Sequence, residues 1–301
     1  MKSCKLVVLI FLILVLSGCE FQRAELGSAK NPVKLVFVPS IDNKVLDANS
    51  KIFKDYLEKN TPYKFEIQIP ESYVAVVEAF GTKRADVAGL NSFGYYLAHK
   101  KYGAEAHLTV IRHGSPTYQS QFITRADSSI KTLKDLEGKK MAFVDPASAS
   151  GYLLPLKTLR DRKIHPKETF FAMKHDSVVM KVYKGEVDAG ATFYSPPVQG
   201  RIDDARRLVL VQYPDVEKKV RIIELSPPIP NDPIVFRKEL STEMKTKIAE
   251  AFLNFVATPQ GKKSFDEIYG LTELKKSSDQ DYAKIRDMFD ELKNVTDKMI
   301  D

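Results

Sequence analysis

The chain has 301 residues, 28% of them charged, with 46 Lys and Arg against 39 Asp and Glu. Its only two cysteines, Cys4 and Cys19, exclude a disulfide framework and a thiolate metal site. The formal charge of +7 becomes +5 (44 basic against 39 acidic) without Lys2 and Lys5; interspersed as it is, this excess reads as solvated faces and gives no nucleic-acid signal.

The first predicted element is an address. Lys2 and Lys5 precede an unbroken apolar run from Leu6 to Leu16, followed by Leu16-Ser17-Gly18-Cys19. The run is shorter than the roughly 20 apolar residues a membrane-spanning helix needs, but it suits a signal peptide. Small residues before a cysteine resemble a bacterial lipoprotein cleavage box, so residues 1–18 are predicted to be removed and Cys19 to be acylated. Residues 19–31, with Gln22, Ala24, Gly27, Ser28 and Ala29, read as a flexible tether. The remainder is expected to fold outside the cytoplasm, held at the membrane by acyl chains.

From Val33 onward, short β-rich runs alternate with helical patterns, the mark of an α/β fold. Val33–Val38 reads as a strand, Asn49–Asn60 as a helix, Tyr63–Ile69 as a strand, Glu71–Phe80 as a helix and Ala85–Leu90 as a strand. Tyr118–Thr124 and Val220–Leu225 are apolar runs without helix partners, and these are the candidate crossing strands of a hinge. Between them, Lys140–Val144, Thr169–Met173 and Val187–Phe193 read as strands, and Gly151–Arg160 and Asp176–Tyr183 as helices. Thr242–Val256, Gln260–Tyr269 and Gln280–Val295 form a helical tail; Ile285, Met288, Phe289 and Leu292 share one face of its last helix.

A self-comparison divides the alternation into two halves. Tyr73-Val74-Ala75-Val76-Val77 leads to Arg84-Ala85-Asp86-Val87-Ala88, just as His175-Asp176-Ser177-Val178-Val179 leads to Glu186-Val187-Asp188-Ala189-Gly190, with an offset of 102 residues. Tyr73 and His175 then open equivalent helices. Ligands of open α/β sheets bind beyond the carboxyl ends of the strands, so two facing halves aim both residues into one cleft.

The most informative loop is Asp145-Pro146-Ala147-Ser148-Ala149-Ser150-Gly151, between a strand and a helix. A helix start leaves backbone N–H groups without intrahelical partners, and with the positive end of the dipole these favour an anion. Ser148 and Ser150 add hydroxyls. The competing reading is a helix whose serine satisfies only its own backbone. Phosphate-loop, dinucleotide, zinc-protease and nucleophile-elbow motifs are missing, and His99, His107, His113, His165 and His175 have no metal-ligand spacing. The chain therefore reads as a binding protein and not an enzyme.

These residues resemble the phosphonate/phosphite/phosphate-binding proteins of ABC transporters, which have the type II periplasmic-binding-protein fold. The resemblance rests on Glu71-Ser72-Tyr73-Val74-Ala75-Val76-Val77-Glu78-Ala79, Ser115-Pro116-Thr117-Tyr118, Ser148-Ala149-Ser150-Gly151, Lys174-His175-Asp176 and Ser226-Pro227-Pro228-Ile229-Pro230-Asn231-Asp232. It implies two α/β lobes joined by a two-strand hinge: residues 32–118 plus 226–301, and residues 119–225. It further implies that Ser148, Ala149, Ser150 and Gly151 hold an oxyanion through hydroxyls and amides. His175 then donates to another ligand oxygen, Tyr73 and Tyr118 close the far side, and Asp232 meets a ligand amine. No cofactor or metal is implied. The partners are a small phosphorus oxyanion, a permease with its cytoplasmic ATPase and, through Cys19, the membrane; the protein is expected to be a monomer.

Two departures stand out. Ala149 replaces the threonine usual between the two serines, and Ser195 stands where aminophosphonate binders carry a second acid, so the ligand is not tied to 2-aminoethylphosphonate. A ligand-sensing partner of a membrane kinase is the alternative output, and a Ser148/His175 esterase or phosphatase the alternative chemistry.

Overall fold

The computed structural model describes residues 24–39 and 41–292, without the side chains of 43 and 284–287. The signal segment and Cys19 lie outside the described residues, as does the Ile285 side chain. Among the described residues no helix is long and apolar enough to cross a membrane.

Parallel strands buried on both faces are apolar almost throughout, and the first strand, β1 (Val33–Phe37), shows why. Leu35 and Phe37 enter one core, and Val36 enters another on the opposite face. Helix α1 (Asn43–Asn60) follows, starting six residues before the sequence reading because Asp42 Oδ1 accepts from Lys44 N at 2.9 Å. Next come β2 (Phe65–Gln68), α2 (Tyr73–Gly81) and β3 (Val87–Gly89). Helix α3 (Ser92–Tyr102) and strand β4 (Glu105–Ile111) have no counterpart in the sequence reading.

The second half contains β5 (Thr117–Arg125), β6 (Lys140–Phe143), a π-helical turn (Ala149–Leu153) running into α4 (Leu154–Asp161), then β7 (Glu168–Phe171), α5 (His175–Lys184) and β8 (Ala189–Tyr194). After α6 (Val216–Lys219) come β9 (Val220–Leu225), β10 (Ile229–Pro230) and β11 (Pro233–Phe236). The tail is α7 (Thr242–Ala257), α8 (Pro259–Tyr269), β12 (Glu273–Lys276) and α9 (Ala283–Asp290).

These strands form two six-stranded sheets. The first runs β12-β4-β11-β3-β1-β2, with β1 parallel to β2 and β3 and the other pairings antiparallel. The second runs β10-β5-β8-β6-β7, with β9 also on β5. Here β6 is parallel to β7 and β8. On the first sheet, α1, α7 and α8 meet through Phe53, whose ring lies 4.5 Å from Phe252 and 5.0 Å from Phe265. On its other face Phe93 of α3 packs 4.8 Å from Phe289 of α9, so the tail returns to the first sheet.

The chain passes between the sheets along residues 112–116 and 231–232. Buried Asn231 ties these passages together: its N–H donates to Pro116 O at 2.9 Å and its Nδ2 to Ser115 O at 2.8 Å. Its Oδ1 accepts from Arg112 Nη1 at 2.8 Å.

The described end of the expected tether is instead part of the folded body. Leu26 packs on the first core. Gly27 N donates to Asn31 O, and Lys64 N to Gly27 O, both at 2.7 Å. Gly27 has φ of +89°, and a Cβ there would lie 2.7 Å from Tyr63 Cδ1; only glycine suits that turn.

Candidate functional site

The end of β6 delivers the chain into a loop shaped by its own polar groups. Asp145 Oδ1 accepts from Ala147 N at 2.8 Å, and Ser148 N donates to Asp145 O at 2.9 Å. Ser148 Oγ accepts from Gly151 N at 3.0 Å, which leaves its own O–H free to donate. Ala149 and Ser150 begin the helix, so their amides have no upstream intrahelical carbonyl. The turn is π-helical because both Tyr152 N and Leu153 N donate to Ser148 O, at 3.1 and 3.0 Å. Such turns concentrate at functional sites.

A cavity of about 80 Å³ lies between this loop and the first sheet. Tyr73, Tyr118, Ser148, Ser150, His175 and Asp232 line it together. Tyr73 and His175, the paired helix starts, thus meet across one space. The Ala149 and Gly151 side positions do not line it: Ala149 packs in the core under the first sheet, and a Cβ on Gly151 would lie 2.4 Å from Val144 Cγ2. These two residues can contribute only backbone.

Ser195 calls for a correction. It is buried but is not part of the cavity wall; Phe193 is. Strand β8 ends at Tyr194, and Pro196 cannot extend it, so the alternation that puts Phe193 at the cavity does not continue to Ser195.

Burial holds His175, Tyr73 and Tyr118 in neutral forms. Burial, followed by the charge of Arg112, pushes the His175 imidazole down from 6.5 to about 3. Its Nδ1 lies 2.6 Å from Thr192 Oγ1. With Thr192 as the donor, Nε2 carries the hydrogen and can donate to an anion. Burial, and after it Asp145 and Asp232, raises the Tyr73 hydroxyl; burial and Asp232 raise that of Tyr118. The Tyr118 hydroxyl is also hydrogen-bonded to Ser150. Burial likewise raises Asp145, against the lowering effect of hydrogen bonds from the Ala147 and Tyr73 backbone.

Asp232, expected to meet a ligand amine, is already ion-paired. Arg112 Nη2 donates to its Oδ2 at 2.7 Å. Arg112 also spans Nε to Tyr269 O at 2.9 Å, and its guanidinium lies 5.3 Å from the centre of the Tyr118 ring. Arg112, Arg207 and Tyr269, all on the cavity wall, were not singled out in the sequence. Neither was Asn91, whose Oδ1 caps α3 by accepting from Gly94 N at 2.7 Å while its Nδ2 donates to Ala147 O at 3.2 Å. That last bond joins the first sheet to the serine loop.

Residues 35–282 match the family described as "ABC transporter, phosphonate, periplasmic substrate-binding protein". The chain is 27% identical over 257 residues to the Phosphonates-binding periplasmic protein of Escherichia coli (strain K12), covering 81% of this chain and 72% of that protein. It is 31% identical over 175 residues to the Phosphate-import protein PhnD of Mycolicibacterium smegmatis, covering 54% of each. PhnD1 from Prochlorococcus marinus (MIT 9301), solved in complex with methylphosphonate, superposes with a TM-score of 0.74 at 19% identity, covering 86% of this chain and 97% of that one. The architecture is the type II periplasmic-binding-protein fold. With the family matched over most of its length, the chain belongs to the periplasmic phosphonate-type substrate-binding proteins of ABC transporters.

Proposed function

We propose that the protein captures a phosphorus oxyanion in this cavity and passes it to the permease of an importer, while anchored to the membrane through acylated Cys19. The Ser148 and Ser150 hydroxyls and the amides of Ala149 and Ser150 take the anion from one side; His175, Tyr73 and Tyr118 take it from the others. Neutral donors suit this work, since hydrogen bonds to an ionised acceptor are roughly twice as strong as neutral ones. The observation that carries the reading is the convergence of Tyr73 and His175, equivalent positions of two halves, on one cavity with both serines. The ligands named for the relatives, phosphonate, phosphate and methylphosphonate, support the phosphorus class.

The expected lobes, residues 32–118 plus 226–301 and residues 119–225, follow the two sheets except that the start of β5 and β10 belong to the second sheet, and the passages at 112–116 and 231–232 serve as the hinge. A ligand touching both lobes favours the closed state by its differential contacts. Capture without turnover is supported by the site's own pairings: Ser148 Oγ is bonded to Gly151 N and His175 to Thr192. With its basicity so depressed, His175 is a poor general base for a serine at neutral pH.

The decisive experiment is calorimetric titration of the Ser148→Ala, His175→Ala double variant with phosphate and alkylphosphonates, alongside the unmodified protein. Binding should be lost while the ligand-free protein still unfolds cooperatively, at a melting temperature lowered by the lost Ser148 cap and His175–Thr192 bond; unaltered affinity removes the assigned site.

A further inference from the structure

The serine loop accounts for only part of the cavity wall. Val38, Ile41, Val110, Ile234, Ile268 and Leu271 line another part, drawn from the first sheet and the end of α8. A bare tetrahedral anion held at the serines has no use for such a surface. An organic substituent does.

The charges beside this apolar wall already have ion partners, with Arg207 Nε left without a hydrogen bond among the described residues. Arg112 Nη2 binds Asp232 Oδ2 at 2.7 Å, and the other Arg112 bonds, to Asn231 Oδ1 at 2.8 Å and Tyr269 O at 2.9 Å, fix the guanidinium in place. Arg207 Nε lies 3.4 Å from Asp203 Oδ1. An ammonium brought to Asp232 would share that carboxylate with Arg112 and meet its positive charge. A buried charge without its own partner is costly. A hydroxyl avoids that cost and still finds partners. Asp232 Oδ1 is buried and lacks a hydrogen-bond partner among the described residues. The Tyr269 hydroxyl, which burial and Asp232 keep protonated, accepts from the Val38 backbone and keeps its own hydrogen to donate.

Resting on the oxyanion reading above, we propose that the cleft is specific for an organophosphonate whose organic end is uncharged, chiefly apolar and hydroxyl-bearing. The Arg112–Asp232 pair is the element that rejects an amino group. Asp232 is then an acceptor for a ligand hydroxyl and not the counter-ion of an amine.

Titration calorimetry with 2-hydroxyethylphosphonate, propylphosphonate, 2-aminoethylphosphonate and inorganic phosphate tests this directly. The hydroxyethyl and aminoethyl compounds differ only in the terminal group, and the hydroxyl form should bind at least about tenfold tighter. Propylphosphonate should exceed phosphate, by roughly fourfold for each methylene seated on the apolar wall. Aminoethylphosphonate binding as tightly as the hydroxyethyl compound overturns the inference and leaves the oxyanion site standing. So does phosphate binding tighter than both uncharged phosphonates. If no phosphorus compound binds, the oxyanion reading itself fails. Arg112→Gln should raise the aminoethyl-to-hydroxyethyl affinity ratio roughly tenfold, and an unchanged ratio removes the role given to Arg112. The ranking on the unmodified protein decides the matter even where that variant does not fold.

Discussion

Asp86 and Asp188 make the same contact in two different sheets. Asp86 Oδ2 accepts from Lys34 N at 2.9 Å, beside β1, and Asp188 Oδ2 accepts from Lys140 N at 2.8 Å, at the start of β6. The return bonds also match: Asp86 N donates to Lys34 O at 2.9 Å and Asp188 N to Lys140 O at 3.0 Å. The two aspartates of the repeat, 102 residues apart, therefore share their hydrogen bonding as well as their sequence context, with partners 106 residues apart.

The two aspartates differ in what else they hold, so their loss should differ. Asp86 is buried and also accepts from Arg237 Nε at 2.8 Å, whereas Asp188 is exposed. Asp86→Ala leaves a largely buried guanidinium with only the exposed Glu239 as an ion partner and should cost about 3 kcal/mol. Asp188→Ala should cost about 1 kcal/mol. Urea unfolding of the two variants measures the difference; equal losses would count against the Arg237 contribution.

His175 makes the ligand-free protein sensitive to acid. The folded state resists protonating this buried ring down to about pH 3, whereas the unfolded chain takes the proton near 6.5. Below 6.5 the unfolded state binds the extra proton, so stability is lost as pH falls from 6.5 towards 3. His175→Gln should flatten that part of the stability profile, read as melting temperature against pH. An unchanged slope would show that the ring is not held neutral.

Gly151 is where the serine loop closes on its own strand. A Cβ there would sit 2.4 Å from Val144 Cγ2 and 2.9 Å from Ser148 Oγ. Gly151→Ala should destabilise the fold by about 1–3 kcal/mol and weaken ligand binding as well, because Ser148 must move. Unfolding and titration of one sample report both effects, and a loss of stability without weaker binding would separate Ser148 from the ligand.

Cys19→Ser should release the protein from the membrane fraction of cells that produce it. Fractionation with immunodetection is sufficient, and persistent membrane association would refute acylation at Cys19.

What the sequence disclosed follows from local physics. Strands β1 and β6 were legible as apolar runs, and the loop at Ser148–Gly151 as small residues before a helix. Helix α3 was harder: Ser92 through Ala98 are all buried, so it shows little of the one-sided pattern that marks a surface helix. Strand β4 does alternate, with Ala106, Leu108 and Val110 turned inward, but it follows α3 so closely that the two blurred together. Arg112 and Tyr269 lie 157 residues apart and meet only because the tail returns to the first sheet. No local signal marks such a meeting. The partner of Asp232 was hidden for the same reason, since Arg112 comes from the other passage between the sheets.

The turn at Gly27–Asn31 bears on how the protein is moored. Bonds to Lys64 and the seat of Leu26 fasten this segment to the first sheet, and the described chain starts at Ala24. If Cys19 carries the acyl anchor proposed above, at most five peptide units, about 18 Å of fully extended chain, would separate it from Ala24. Under that anchor the body would be confined to a thin layer above the bilayer, and it would find its permease by skimming a surface instead of roaming a volume.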